Sequence, residues 1–279
     1  MPAIFTHLRF GEEVAKRLPP DLARLAQTHA ECFALGTQGP DLLFFHKPLS
    51  KNAPRLLGWS LHAVPPENFF LEGAKNILAE EENYEDGRFI PKSPAAAYLL
   101  GFLCHFCLDT TCHPYIDEHS ADGLSHGKIE SELDKRHFRK IGMPFRGYNA
   151  AKRFFPAKKV THASAKILGI TEKNTKTAVK SMRFINGFFS HKCEFVHGVC
   201  HCLLTLVGQN KTFGDMFIHK KDDIRCNALW ESLDNKFNEG VTLASTVIAE
   251  FFRDIQHSVE ANALTNEIFR YNYSGIKGE

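Results

Sequence analysis

The sequence predicts an all-α protein, built as a single-domain multi-helix bundle. Apolar residues recur at helical spacing from end to end, while the alternating pattern of strands is scarce. No repeat of fixed period, low-complexity tract or long linker divides the chain. One helical domain over residues 1–279 is therefore predicted, with supporting helices in residues 141–270 and a loose tail in residues 271–279.

Prolines and glycines set the boundaries of the first elements. A helix is predicted from about Thr6 to the residue before Pro19, and the two prolines at 19 and 20 open a second helix over residues 21–30. The stretch GTQGPD, residues 36–41, has the composition of a loop. The next proline pair, at 65 and 66, introduces a helix that includes residues 69–78.

Two helices in the middle of the chain carry several histidines and acids. A long apolar helix is predicted from about Pro94, and it should end near Pro114 because the residue before a proline avoids helical geometry. An exposed helix is predicted from Ser125 to Ile141, with charged residues over most of its surface. In the second half, helices are predicted over residues 171–189, 195–206, 224–237 and 241–258.

Composition and charge argue against several classes of protein. A formal net charge of +2 gives no strong field for nucleic acid or an anionic membrane, so a nucleic-acid partner is not expected. No uninterrupted apolar run of about eighteen residues is present, which argues against a transmembrane helix. The start, MPAIFTHLRFGEE, lacks the pattern of a secretory signal, and eight cysteines without a leader favour a reduced, cytoplasmic protein.

The segment GFLCHFCLDTTCHPY contains the first candidate metal ligands. His105, Asp109 and His113 are spaced four residues apart, so on a helix they share one face. Such groups are costly on an otherwise apolar helix unless something pairs with them. A divalent metal suits imidazole nitrogen and carboxylate oxygen together, although a hydrogen-bonded ladder at the edge of the core is the simpler alternative.

His126 and Glu130 repeat the four-residue spacing on the next predicted helix. One such pair is weak by itself, since exposed His and Glu share helix faces by chance. The short connection makes the two helices neighbours, so both sets of side chains can face one cleft.

Three further candidate ligands lie earlier in the sequence and complete a recognisable order of motifs. His7 in TH, Asp41 in QGPD and His62 precede the segments HxxxDxxxHPY and HxxxE. In this order the first half of the chain, to about residue 134, resembles the bacterial zinc-dependent phospholipase C family. The resemblance implies an all-α bundle with residues 1–140 forming a cleft for two to three zinc ions.

The resemblance also implies a division of ligands among the ions. One zinc would be held by Asp41, His62, His105 and Asp109, with Asp109 bridging to a second. Another would be held by His113, His126 and Glu130. The remaining site would be completed by His7 and the N-terminal amine and carbonyl at Met1-Pro2. Asp41 is the candidate general base or water-orienting carboxylate.

The expected activity is hydrolysis of a phosphoester, most specifically phospholipase C-like cleavage of a phosphodiester. Trp59 and His46 are the candidate substrate-binding residues, and a phospholipid head group is a candidate substrate. Leu42 stands where choline-recognising members of the family have an aromatic residue. The alternatives are a 3′-nucleotidase or single-strand nuclease of related fold, and a non-catalytic metal- or lipid-binding protein. The sequence does not indicate an oligomeric state.

The remaining cysteines and histidines have simpler interpretations. Cys104, Cys107 and Cys112 are expected to be small core residues, because a zinc ribbon needs a second cysteine pair. Cys193, His197 and His201 would share a helical face and are an alternative, separate metal set. His119 and His137 are candidates to orient metal ligands from behind, or else are surface histidines.

Overall fold

The computed structural model describes residues 3–120, 123–206, 208, 214–257 and 264–278. Its fold is all-α, as predicted. The helices are α1 (Ile4–Ala15), α2 (Pro20–Thr28), α3 (Ala30–Gly36), α4 (Ala53–Ala63), α5 (Glu67–Leu78), α6 (Pro94–Glu118), α7 (His126–Lys140), α8 (Lys158–Leu168), α9 (Glu172–Phe189), α10 (Glu194–Leu206) and α11 (Trp230–His257). A two-stranded antiparallel hairpin, β1 (Tyr84–Glu85) and β2 (Arg88–Phe89), precedes α6.

The long helix α6 runs through the centre of the molecule. It begins at a side-chain cap, where Ser93 accepts a hydrogen bond from the Ala96 amide, and Pro94 occupies the first turn. Helices α1, α3, α8 and α11 all pack against it. By length and composition α6 could cross a membrane, but 89% of its most apolar window is buried inside the protein, which is typical of a core helix.

Two glycines allow α3 and α6 to touch through their backbones. A Cβ on Gly36 would lie 2.2 Å from the Tyr98 carbonyl oxygen, and a Cβ on Gly101 would lie 2.2 Å from the Phe33 carbonyl oxygen. Neither position can accept a side chain without moving a helix. The close crossing brings the end of α3 beside His105, one turn further along α6.

The predicted end of α6 near Pro114 is wrong, because the helix continues to Glu118. A proline inside a helix costs about 3 kcal/mol, through a lost hydrogen bond and a clash with the carbonyl four residues back. Here both sides of the proline are packed, since Cys112 and Ile116 are buried. Gly275 lies against the proline ring, which covers this turn of the helix.

Helix α7 is also different from the prediction of an exposed helix. Its buried residues include the charged side chains Glu130, Glu132, Asp134 and Lys135. The Lys135 ammonium donates to Glu132 Oε1 at 2.8 Å and to the His219 carbonyl at 3.0 Å. Charged residues are normally exposed, so the sequence pattern could not show that these charges are paired inside the protein.

Two further boundaries differ from the prediction. Residues 36–41 were expected to be a loop, whereas a 3-10 helix runs from Gly39 to Phe45. The helices expected at 224–237 and 241–258 are instead a 3-10 turn, Ile224–Leu229, and the unbroken α11. Gly240 does not break α11 because the Phe10 ring packs closely over it, where a Cβ would lie 3.1 Å away.

The C-terminal segment is packed, so the prediction of a loose tail is wrong over residues 271–278. Tyr273 is 1% exposed. The Asn272 amide donates to the Ile276 carbonyl at 2.8 Å, and the Gly278 amide donates to the Arg270 carbonyl at 2.8 Å. A single buried tyrosine in a polar stretch gave no periodic signal, which is why composition suggested a tail.

Candidate metal centre

The structure brings together all eight residues predicted as metal ligands. They come from five elements: α1, the 3-10 helix after α3, α4, α6 and α7. Each histidine among them directs Nε2 at a carboxylate of the same set. The set consists of His7, Asp41, His62, His105, Asp109, His113, His126 and Glu130.

Asp109 lies at the centre of this cluster. Its Oδ1 is 3.4 Å from His7 Nε2 and 3.3 Å from His113 Nε2, and its Oδ2 is 3.0 Å from His105 Nε2. Burial would raise the pKa of this carboxyl group, but the surrounding imidazoles hold it far below its usual range. Asp109 is therefore a carboxylate with imidazoles on both oxygens, which is the arrangement a bridging ligand needs.

The other two carboxylates mark the two ends of the cluster. Asp41 Oδ1 is 3.1 Å from His62 Nε2. At the far end, Glu130 Oε1 is 3.4 Å from His126 Nε2 and 3.6 Å from His113 Nε2. Burial opposes ionisation at both acids, yet neighbouring positive charge and hydrogen bonds lower both pKa values. The cluster thus offers carboxylate oxygen at three separate points.

Backbone carbonyls fix the orientation of two imidazoles. His62 Nδ1 lies 2.7 Å from the Gly58 carbonyl oxygen, and His105 Nδ1 lies 3.2 Å from the Thr37 carbonyl oxygen. A carbonyl only accepts, so in both rings Nδ1 carries the proton. The lone pair of the neutral ring is then on Nε2, the atom that faces the carboxylates.

A carboxylate, that of Asp117, fixes the orientation of His126. Sequence reasoning missed this residue. Asp117 Oδ1 accepts from His126 Nδ1 at 2.7 Å. Burial lowers the pKa of His126, but Glu130 and Asp117 outweigh it and raise the value to about 9. The signal was present, because Asp117 continues the four-residue spacing of His105, Asp109 and His113 along α6.

The residues present fit a set of zinc ions. Three groups each place their ligand atoms within 4.8 Å of one another: His7, Asp41 and His105; His62, His105 and Asp109; His113, His126 and Glu130. Within the described residues, the buried His7 Nδ1 has no hydrogen-bond partner, and the buried His105 Nε2 faces Asp109 Oδ2 at 3.0 Å. Burial lowers the pKa of His7 to about 3, so this ring is neutral. Unpartnered imidazole nitrogen beside carboxylate oxygen is the donor set that zinc prefers.

Gly39 explains part of the QGPD motif. Its φ is +48°, and a Cβ there would lie 2.3 Å from the His105 ring. Only glycine combines that conformation with so close an approach. The 3-10 helix can therefore begin against the imidazole of His105, which brings Asp41 into the cluster.

Asp134 is a second residue that sequence reasoning missed. Its carboxyl group accepts from the Phe5 amide at 3.2 Å, the Thr6 amide at 2.7 Å and Thr6 Oγ1 at 2.7 Å. It thereby caps α1 and holds His7 against α7. Burial raises the pKa of Asp134 to about 7, against the effect of these hydrogen bonds. No sequence pattern links residues 5–6 to residue 134.

The two predicted substrate-binding residues have different surroundings. Trp59 is 57% exposed and its ring packs on Phe44, 4.6 Å away between centroids. Phe44 in turn stacks on His62 at 5.2 Å, so Trp59 lies close to the cluster. His46 is buried, and its Nδ1 lies 2.9 Å from Asn52 Oδ1, the N-cap of α4. The structure therefore gives His46 a role in positioning α4.

The two histidines predicted as candidates to orient metal ligands contact other groups instead. His119 Nδ1 donates to the Tyr115 carbonyl at 2.8 Å, and His137 is buried against Phe237 at 4.7 Å. Tyr273, in the segment expected to be loose, lies beside the cluster instead, with its ring 5.0 Å from His62 and 5.8 Å from His105. Met1 and Pro2, predicted to complete one zinc site, lie outside the described residues.

The cysteines follow the simpler interpretation. Cys104, Cys107 and Cys112 are buried core residues, as expected. The alternative set of Cys193, His197 and His201 is not assembled in the described part of the chain. Helix α10 begins at Glu194, so Cys193 precedes it and is exposed. His201 instead packs its ring on Phe217 at 4.5 Å.

The fold and the cluster define an all-α protein with a buried cluster of imidazoles and carboxylates suited to metal binding. A family model described as zinc dependent phospholipase C matches residues 6–199. The chain belongs to the zinc-dependent phospholipase C family, as the sequence motifs predicted. Zinc is thus the metal that both the family and the donor set support. Neither the curated proteins nor the solved structures include a match to the chain.

Proposed function

We propose that the chain is a hydrolase that cleaves a phosphodiester in the manner of a phospholipase C, at a centre of two to three zinc ions. The observation that carries the proposal is the arrangement around Asp109, where three imidazoles direct Nε2 at one buried carboxylate. Family membership supports zinc-dependent hydrolysis, and the fit of the donor set to several ions supports more than one zinc.

The zinc ions and Asp41 have different roles in the proposed reaction. Zinc ions, when bound, lower the pKa of water and neutralise charge on the phosphate oxygens. Asp41 is the group placed to accept the proton of the attacking water, because its carboxyl group is kept ionised and is oriented by His62. As water adds to phosphorus, the bond to the leaving alcohol oxygen breaks, and that oxygen takes up a proton.

A lipid substrate is supported by apolar surface near the cluster. On α4, which carries His62, Leu56 and Trp59 are both exposed. The segment at residues 47–50, just after the 3-10 helix with Asp41, borders an apolar cavity of about 650 Å³. Phe184, Phe188 and Leu203 also line this cavity. Apolar patches rimmed by polar groups are typical of sites that receive apolar ligands.

The test is a turnover assay with Asp109→Asn. The variant keeps the size of the side chain but removes the charge shared by three imidazoles, so zinc binding and hydrolysis should both fall, with turnover lower by at least about 100-fold. Asp21→Asn, on the exposed surface of α2, is the matched control and should retain both. Activity would be measured after zinc reconstitution.

The substrates in that assay separate the competing functions. Phosphatidylcholine vesicles, soluble phosphodiesters and 3′-nucleotides would be compared with and without zinc. The proposal expects phosphodiester cleavage that releases a phosphorylated head group. Full zinc content without turnover on any phosphoester would instead favour a binding protein, and preference for 3′-nucleotides would favour the nucleotidase alternative.

A further inference from the structure

We propose that the protein has a second metal site, separate from the candidate centre, formed by Glu194, His197 and His219 and suited to one zinc-class divalent ion. Their ligand atoms lie within 4.8 Å of one another. None of the three belongs to the cluster around Asp109. Glu194 and His197 are on α10, and His219 follows the 3-10 turn Gly214–Met216.

His197 is the observation that points to a ligand. The residue is 2% exposed, and neither ring nitrogen has a hydrogen-bond partner among the residues that the structure describes. A buried imidazole without partners loses its hydration and gains nothing in exchange. Its Nδ1 faces Glu194 Oε2 at 3.7 Å, too far for a hydrogen bond but suited to a shared ion. A metal would satisfy the ring.

The other two ligands are held in place from outside the site. Arg146 Nη1 forms an ion pair with Glu194 Oε1 at 2.8 Å, which leaves Oε2 directed at His197. The His219 carbonyl accepts from the buried Lys135 ammonium at 3.0 Å, which fixes its segment to α7. Outer partners of this kind orient ligands in metal sites and raise their affinity.

Two imidazoles and one carboxylate give a defined chemistry. Zinc commonly takes three such protein ligands with a water in the fourth position. Glu194 and His219 also line a cavity of about 590 Å³, through which an ion and its water can enter. Because His219 and α10 come from different segments, the ion would join the two and stabilise α10 against the body of the protein.

The experiment uses Co²⁺ as the probe, in the full chain with the first cluster disabled by Asp41→Asn, Asp109→Asn and Glu130→Gln, which removes the carboxylate from each of its three ligand groups. Under reducing conditions this background should bind one Co²⁺ per chain with a tetrahedral visible spectrum. Adding His219→Gln should weaken binding by at least about 100-fold, since even outer-shell changes cost about 10- to 100-fold. Co²⁺ should also raise the melting temperature of the background and lose that effect with His219→Gln.

Two further variants keep the test decisive. Glu194→Gln changes an exposed ligand and should also weaken binding, so the result does not depend on the buried His197 tolerating substitution. His162→Gln is the matched control, because His162 pairs with Glu172 at 2.9 Å on the surface and no third candidate ligand joins them among the described residues. It should leave Co²⁺ binding unchanged.

Three results would overturn the proposal. One is a background variant that binds no Co²⁺. Another is binding that survives both Glu194→Gln and His219→Gln. The third is a near-ultraviolet thiolate-to-cobalt band, which would assign the ion to a cysteine such as Cys193 rather than to the carboxylate and imidazoles.

Discussion

At the scale of single residues, the partner that orients His105 is distant in sequence, whereas the partner of His62 lies one turn away on the same helix. The spacing of His105 and Asp109 follows from helix geometry, so sequence could predict their shared face. The hydrogen bond from His105 to the Thr37 carbonyl could not be predicted in this way, because it depends on the crossing of α3 and α6. The shared face of His105 and Asp109 is therefore local information, whereas the tautomer of His105 is set by the tertiary fold.

Asp117→Asn tests the orientation of His126. The amide is a weaker acceptor for the Nδ1 proton, and its own NH2 group can compete for that position. We expect zinc affinity to fall by about 10- to 100-fold, as for other outer partners of metal-bound histidine. The zinc affinity would be measured by competition with a chelator. Glu118→Gln changes the adjacent exposed acid and should leave the affinity unchanged; equal losses in the two variants would contradict the assigned role of Asp117.

His137 makes the fold sensitive to acid. Burial lowers its pKa from the ordinary 6.5 to about 3, so the folded protein holds the ring neutral while the unfolded chain protonates it. Stability is fully present above about pH 6.5 and is lost as the pH falls towards 3. The loss from this group at pH 4.5 should be about 2 to 3 kcal/mol.

The comparison is made between wild type and His137→Gln, both with zinc removed so that the ligand histidines behave alike. Urea unfolding at pH 7.5 and pH 4.5 gives the free energy of unfolding. Between pH 7.5 and pH 4.5, the free energy of unfolding should fall by about 2 to 3 kcal/mol less in the variant than in wild type. An identical pH dependence in the two proteins would show that His137 titrates normally in the fold.

At the scale of elements, α6 and the C-terminal segment show where sequence patterns succeed and fail. Helical periodicity identified α6, but the rule for proline placed its end too early, because packing around Pro114 outweighs the local cost. The C-terminal segment has no periodicity, so its packing could not be predicted. Tyr273 nevertheless fills the space between Phe106 and the two imidazoles of His62 and His105.

Two substitutions of Tyr273 separate its ring from its hydroxyl group. In the described part of the chain the buried hydroxyl has no hydrogen-bond partner, so Tyr273→Phe should leave stability unchanged or raise it by about 1 kcal/mol. Tyr273→Ala removes the ring and should cost about 3 to 5 kcal/mol. It should also weaken zinc binding, because His62 and His105 lose the surface against which they rest.

Thermal unfolding and zinc titration of the two variants provide the measurements. Tyr273→Phe serves as the control for Tyr273→Ala, since it keeps the ring in place. If the alanine variant matched wild type in both stability and zinc affinity, the C-terminal segment would have no part in supporting the cluster.

At the scale of the whole molecule, we expect zinc binding and folding to be coupled. The eight candidate ligands lie on five elements between residues 7 and 130, so ions at the cluster would add links between parts of the chain that packing and hydrogen bonds already hold together. Sequence predicted this set through a family resemblance that orders the motifs. It could not predict the supports behind them, such as Asp134 on α7 holding α1, because those depend on the assembled fold.

We infer that this cluster binds several zinc ions through Asp109. The most direct test is the zinc content of the purified, zinc-reconstituted chain, measured in a His219→Gln background so that the site on α10 does not contribute. We predict at least two zinc ions per chain, and the loss of at least one when Asp109→Asn is added. Fewer than two ions, or an unchanged count in the Asp109→Asn variant, would show that the cluster does not hold several zinc ions through Asp109.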